Sequence, residues 1–188
     1  MGWRLIVSAT GVWNNHGFKY GVDNGAFTAY NKGNITPEGF DADKFMGVIE
    51  WTRTQEIKPD WVVVPDIVAS RESLEFSTYW FPTVKEYTNH PLLAVQDGME
   101  PQDAEPFIDQ GAGIFLGGST EYKLKTMAQW GKFCKARRCY YHVGRVNTNR
   151  RIRLCQLAGA DSIDGTSVTK FPCTLRRIDS ALMQPVLF

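Results

Sequence analysis

The feature that most limits the fold is a series of short, continuously apolar segments that recur along the chain with amphipathic stretches between them. Leu5–Ala9, Tyr20–Asp23, Trp61–Pro65, Leu92–Gln96, Gly113–Leu116, Cys139–Val143 and the very short Ser162–Ile163 read as strands. They are rich in Val and Ile and do not alternate apolar with polar residues. Strands covered on both faces in a parallel sheet have that pattern. The stretches between them carry helix signals. Asp41–Gln55 opens on acids and places Phe45, Val48, Ile49 and Thr52 at helical spacing. Ser70–Thr88 continues through Leu74, Tyr79 and Val84, with Pro82 expected to kink or split it. Pro101–Gln110 begins with Pro and acids and stops at Gly111; Glu121–Ala136 follows; Asn149–Ala158 opens on an Asn cap and ends at Gly159. Strand and helix alternate without linker, repeat or low-complexity segment, which predicts one α/β domain over residues 1–188, a compact (β/α) TIM-barrel-like fold of parallel strands. A complete eight-unit barrel takes ~250 residues. With 188, this one is expected to be reduced or incomplete.

In such a fold the loops after the strands gather at one face and build the site. Four strand ends here carry a polar group: Val22-Asp23-Asn24-Gly25, Val64-Pro65-Asp66, Val95-Gln96-Asp97-Gly98 and Ser162-Ile163-Asp164-Gly165. Any one alone reads as a helix cap or a turn initiator. Four together predict a convergent site. Asp161 reads as a structural hydrogen-bonding residue, and His142 as a satisfied strand histidine.

The net charge of +1 gives no global basic field, so a nucleic-acid partner would have to be held by local patches. Three exist: Arg145, Arg150, Arg151 and Arg153; Lys170, Arg176 and Arg177; and Lys135, Arg137 and Arg138. The last reads as a solvated helix face. The first two flank the acidic strand ends and are candidates for phosphate contacts. Cys134, Cys139, Cys155 and Cys173 form no CxxC pair and no zinc-spaced Cys/His set, so no metal is expected and the thiols read as reduced, in a cytoplasmic protein. No apolar run approaches the ~20 residues of a membrane span, and the start of the chain lacks the apolar core of a signal peptide.

The ordered series Asp23-Asn-Gly-Ala-Phe27, Pro65-Asp66, Val95-Gln96-Asp-Gly98, Phe115-Leu-Gly-Gly118, His142-Val-Gly144 and Gly159-Ala-Asp-Ser-Ile-Asp164 resembles the tRNA-guanine transglycosylase family. The resemblance covers roughly residues 20–175 and rests on the order of six weak motifs. Asn24 and Ala26 stand where that family has Ser and Gly, Asp97 replaces a Gly, and Gly-Thr-Ser-Val-Thr follows Asp164 in place of Cys-Val-x-Pro-Thr-Arg. The Cys/His zinc module of the tRNA enzymes has no counterpart. Short length and the missing module make the chain most similar to phage relatives that place 7-deazaguanines into DNA.

The resemblance implies base exchange with Asp164 as nucleophile and Asp23 as general acid/base. It makes Asp66 and Gln96 readers of the base edge, lets the base approach the backbone of Gly117 and Gly118, and stacks Phe27, or another aromatic near the site, on the base. It implies DNA as polymer (tRNA as the alternative), a 7-deazaguanine as small substrate, no cofactor, and a possible homodimer. The residues fit that chemistry on their own terms. Breaking a glycosidic bond through an oxocarbenium-like transition state needs one carboxylate to attack and another group to manage the proton. Alternatives remain open: the same exchange on tRNA or a nucleoside, a base-releasing glycosidase, and a non-catalytic nucleic-acid-binding module. A metal-dependent hydrolase fits least.

Overall fold

The structure, a computed structural model, describes residues 2–70 and 72–183; the side chains of Val168, Thr169 and Pro172 are outside that description. Seven strands form one all-parallel sheet: β1 Leu5–Ser8, β2 Tyr20–Asp23, β3 Val62–Val63, β4 Pro91–Val95, β5 Gly113–Leu116, β6 Tyr141–Val143 and β7 Ser162–Ile163. Their spatial order is their sequence order, and the sheet curls into a half-barrel. β1 pairs only with β2, and β7 only with β6, so both edges stay open among the described residues. The expected reduced α/β barrel is thus observed in its coarse form.

Two apolar clusters lie on opposite faces of the sheet, and strand alternation sorts residues between them. Val62, Val64, Leu93, Val95, Ile114, Leu116, Tyr141 and Val143 belong to the larger core. There they meet Phe45, Val48 and Ile49 of α2 (Ala42–Thr54), Phe81 and Val84 of α3 (Ser73–Lys85), and Phe107 of α4 (Pro101–Ile108). Met127 and Trp130 of α5 (Thr120–Arg137) and Ile152 of α6 (Asn149–Leu157) complete it. The intervening positions Trp61, Val63, Leu92, Ala94 and Phe115 form the second cluster, which fills the concave face. Trp61 is its largest member, and β2 makes room for it. A Cβ on Gly21 would lie 2.4 Å from the indole ring.

Several boundaries differ from those read off the sequence. The helix expected over Ser70–Thr88 starts at Ser73 and runs through Pro82 as one helix; position 71 lies outside the described residues. Ser73 and Ser77 are fully buried, and they hold the preceding loop instead of facing solvent. Ile67 N donates to Ser73 Oγ, and Ser77 Oγ donates to the Pro65 carbonyl. β6 starts at Tyr141, because Cys139 N still closes the end of α5 on the Cys134 carbonyl while Arg138 takes a left-handed conformation. Thr148, not an Asn, caps α6. Three helices went unanticipated: α1 (Ala26–Asn31), α7 (Ser167–Lys170) and α8 (Leu175–Met183), the last packing Ile178 and Ala181 toward α6. No helix among the described residues is long and apolar enough to cross a membrane.

Candidate active site

The carboxyl ends of β1, β2, β4, β6 and β7, with the loop after β3, meet above the Trp61–Phe115 floor. Asp23 closes β2, in register with Ser8 of β1. Its Oδ2 accepts from Ser8 Oγ at 3.0 Å and from Gly25 N at 3.1 Å. The Asp-Asn-Gly segment therefore does form a turn, and Gly25 supplies the positive φ of 82° that it requires. The turn does not consume the carboxylate. Burial holds the Asp23 carboxyl above the usual range, the Ser8 and Gly25 bonds oppose that, and the charge of Asp164 adds to it. The two acids thus lie within each other's field.

Asp164 follows β7 and is pinned through its backbone, donating from N to the Val143 carbonyl and accepting at O from Val146 N. Its Oδ1 accepts from Arg145 N at 3.0 Å and pairs with His142 Nε2 at 3.1 Å. Both of these bonds fall on the same oxygen. His142 is buried on the inner face, stacked on Phe115 with centroids 4.7 Å apart and tilted against Trp61 at 4.9 Å. Its Nδ1 lies 2.6 Å from Ser162 Oγ. An Nε2–H on His142 donates toward Asp164, an arrangement that orients the carboxylate. Gly144 makes this approach possible: a Cβ there would sit 2.8 Å from the Phe115 ring and 3.3 Å from Asp164 Oδ1.

Asp66 is 4% exposed and held between two amides, Asn24 Nδ2 at 2.7 Å and Gln96 Nε2 at 2.5 Å. Asn24 is itself fixed, donating to the Val64 carbonyl and accepting from Ala26 N. Burial pushes the Asp66 carboxyl up to about 7; the Asn24 bond resists, the charge of Asp23 adds, and the Gln96 bond resists. Gln96, also 4% exposed, leaves Oε1 buried without a partner among the described residues. Gly117 leaves room for that amide, since a Cβ would stand 3.0 Å from Gln96 Nε2. Gly118 has φ 74°, and a Cβ there would lie 2.5 Å from Asp97 Oδ2. Asp97 ties the end of β4 to the start of α5, accepting from Ser119 N at 2.6 Å and Ser119 Oγ at 2.5 Å.

Phe27, 37% exposed on α1, faces Tyr30 on one side. The Arg145 guanidinium carbon lies 4.3 Å from its ring centroid. Arg145 also donates from Nη2 to the Gly118 carbonyl and holds a left-handed φ of 58°. It is therefore drawn inward to the acids, apart from Arg150, Lys170, Arg176 and Arg177, which are exposed on α6, α7 and α8. Arg151 is partly buried on the first turn of α6. Asp161 behaves as a structural residue, its Oδ2 accepting from Tyr141 N.

Sequence reading missed four contributors. Ser8 lies in no motif, and Asn24 and Ser162 stand inside the ordered motifs with no role read for them. Lys123 is buried on α5 and donates from Nζ to the Gly144 carbonyl at 2.6 Å, so it braces the turn that carries Arg145. Burial, with the nearby Arg145 charge, lowers its pKa to about 8. Its signal was present: Lys123, Met127, Trp130 and Cys134 share one helical stripe, and a lysine on an apolar stripe is a buried cation in need of a partner. Among the described residues no three His, Cys, Asp or Glu side chains converge as a metal-ligand group. No protein-family model matches this chain, and no curated protein matches it.

Proposed function

We propose that the chain is a guanine transglycosylase that exchanges guanine in DNA for a 7-deazaguanine by double displacement. One observation carries the reading: Asp23 and Asp164 share the inner face at the carboxyl ends of the strands and feel each other's charge, yet stand in unlike environments. Pairs of acids set apart in this way divide nucleophile from proton carrier.

In the first step Asp164 Oδ2 attacks C1′ of the target nucleotide. The C1′–N9 bond breaks, and its electron pair leaves with guanine, which takes a proton from Asp23. In the second step Asp23 accepts the N9 proton of the incoming 7-deazaguanine, N9 attacks C1′, and Asp164 departs as carboxylate. His142 Nε2–H and Arg145 N–H, both on Oδ1, hold the carboxylate in one orientation and stabilise it as a leaving group. Asp66, ionised above about pH 7, offers acceptors to the N1–H and exocyclic amine of guanine, and Gln96 Oε1 has an unspent lone pair for another donor. Gly117 and Gly118 allow the base to approach the backbone. A duplex base must be flipped out, or the strand must be single, to reach this depth. Arg150, Arg151, Lys170, Arg176 and Arg177 then supply phosphate contacts around the mouth. No step needs a metal or redox cofactor. The open β1 and β7 edges are consistent with a homodimer, because unpaired strand edges favour covering.

The test is exchange of labelled guanine in DNA and, separately, in tRNA, with 7-cyano-7-deazaguanine as acceptor and Asp164→Ala and Asp164→Asn as controls. Incorporation into DNA that vanishes in both variants, with a denaturation-resistant adduct in the wild type, supports the reading. Incorporation into tRNA alone overturns the polymer. Base release without replacement assigns a glycosidase instead. Binding without reaction, unchanged in the Asp164 variants, leaves a binding module.

A further inference from the structure

Arg145 is the most unusual residue of the site. Its backbone N–H is on Asp164, its guanidinium is over Phe27, and its Nη2 donates to the Gly118 carbonyl. It holds these contacts from a left-handed φ of 58°, which L side chains adopt at a cost. Those three partners are the groups to which the transglycosylase reading gives the nucleophile, the stacking ring and the backbone beside the base. A side chain that reaches the ring and the carbonyl, on a residue whose backbone N–H touches the nucleophile, lies where the base of a nucleotide attacked by Asp164 would lie.

We infer that Arg145 is a placeholder: in the resting enzyme its guanidinium occupies the base slot, and an entering base must displace it. The inference rests on the transglycosylase reading. The chemistry of the two occupants matches. A guanidinium is planar, presents N–H donors along its edge, and stacks on an aromatic face. The N1–C2–N2 edge of guanine is itself a guanidine unit with the same planarity and donors. A base that stacks on Phe27 and donates to Gly118 replaces both contacts, whereas a base lacking an edge donor leaves the Gly118 carbonyl without a partner. Arg145 thereby sets a threshold that donor-bearing purines pass. Once displaced, its guanidinium is free to swing toward the phosphates, alongside Arg150 and Arg151.

The test is equilibrium binding of free guanine and of 7-cyano-7-deazaguanine to the wild type, Arg145→Ala and Arg145→Lys. Emptying the slot should tighten binding of both bases about tenfold in Arg145→Ala, the factor expected if the guanidinium fills the slot about nine-tenths of the time. Arg145→Lys, which keeps the charge without the planar fork, should tighten it as well. Guanidinium ion should compete with guanine in Arg145→Ala at about one-tenth the concentration it needs in the wild type. Unchanged or weaker base binding in both variants, with normal binding by the wild type, overturns the placeholder and leaves the transglycosylase reading standing. Absence of base binding in all three proteins overturns the reading and the placeholder with it.

Discussion

Asp66→Asn isolates the energy of burying one carboxylate. The substituted amide has nearly the same shape and stays neutral at every pH. Asn24 Nδ2 can still donate to its carbonyl oxygen, and Gln96 can turn its amide so that Oε1, now unpartnered, accepts from the new NH2 group. The wild-type carboxyl is raised from 3.8 to about 7 with burial as the main cause. At about 1.4 kcal/mol per tenfold change in proton affinity, that rise amounts to about 4 kcal/mol. The sign follows from proton counting. Below about pH 4 the acid is protonated in both folded and unfolded chains. Between 3.8 and about 7 the unfolded chain releases the proton while the folded chain keeps it, so stability falls as pH rises; above about 7 the loss is complete. Asp66→Asn has no such slope. Urea unfolding of both proteins at intervals from pH 4 to 8 should show the variant gaining about 4 kcal/mol on the wild type, roughly 2 M in midpoint for a domain of this size. Asp23 and Lys123 titrate in both proteins and largely cancel in the difference. A difference that stays constant within about 1 kcal/mol across the range refutes the reasoning, because it means the two amide donors hold Asp66 ionised despite burial.

Lys123→Met should abolish a rise in stability that the wild type shows from pH 8 to 10, where the folded lysine, lowered to about 8, has released a proton that the unfolded chain keeps; urea unfolding at the two pH values checks it. Gly21→Ala forces a methyl within 2.4 Å of the Trp61 ring and should cost about 1–3 kcal/mol, read as a lower Tm with a change in tryptophan fluorescence. Replacing Arg150 and Arg151 together by Ala should weaken DNA binding similarly for all sequences. It should also reduce the slope of log K against log salt by about 1 for each phosphate that is no longer neutralised, measured by titration at several salt concentrations.

The sequence by itself determined the layering. Continuous apolar runs at Trp61–Pro65 and Leu92–Gln96 could only be covered on both faces, and the helical stripes between strands supplied one cover, so a parallel α/β sheet in sequential order was legible from local pattern. The polar ends of those strands were legible for the same reason, since Asp23, Gln96 and Asp164 each interrupt an apolar run. Tertiary structure decided what those groups became. Asp66 read equally as a helix cap or as a reader of the base edge, and Ser73 and Ser77 of α3 pin its loop so that the carboxylate turns inward between Asn24 and Gln96. His142 looked like a packed strand histidine. It is one, and the register of β6 against β7 also sets it beside Ser162 and Asp164. Arg145 read as a phosphate contact beside Arg150 and Arg151, yet a left-handed backbone turns it onto Phe27, a residue more than a hundred positions earlier in the chain. These outcomes depend on strand register, on which side chain a neighbouring strand leaves room for, and on the curl that brings β2 and β7 to one mouth. A periodic pattern encodes which face is buried. It does not encode which two distant residues the burial brings into contact.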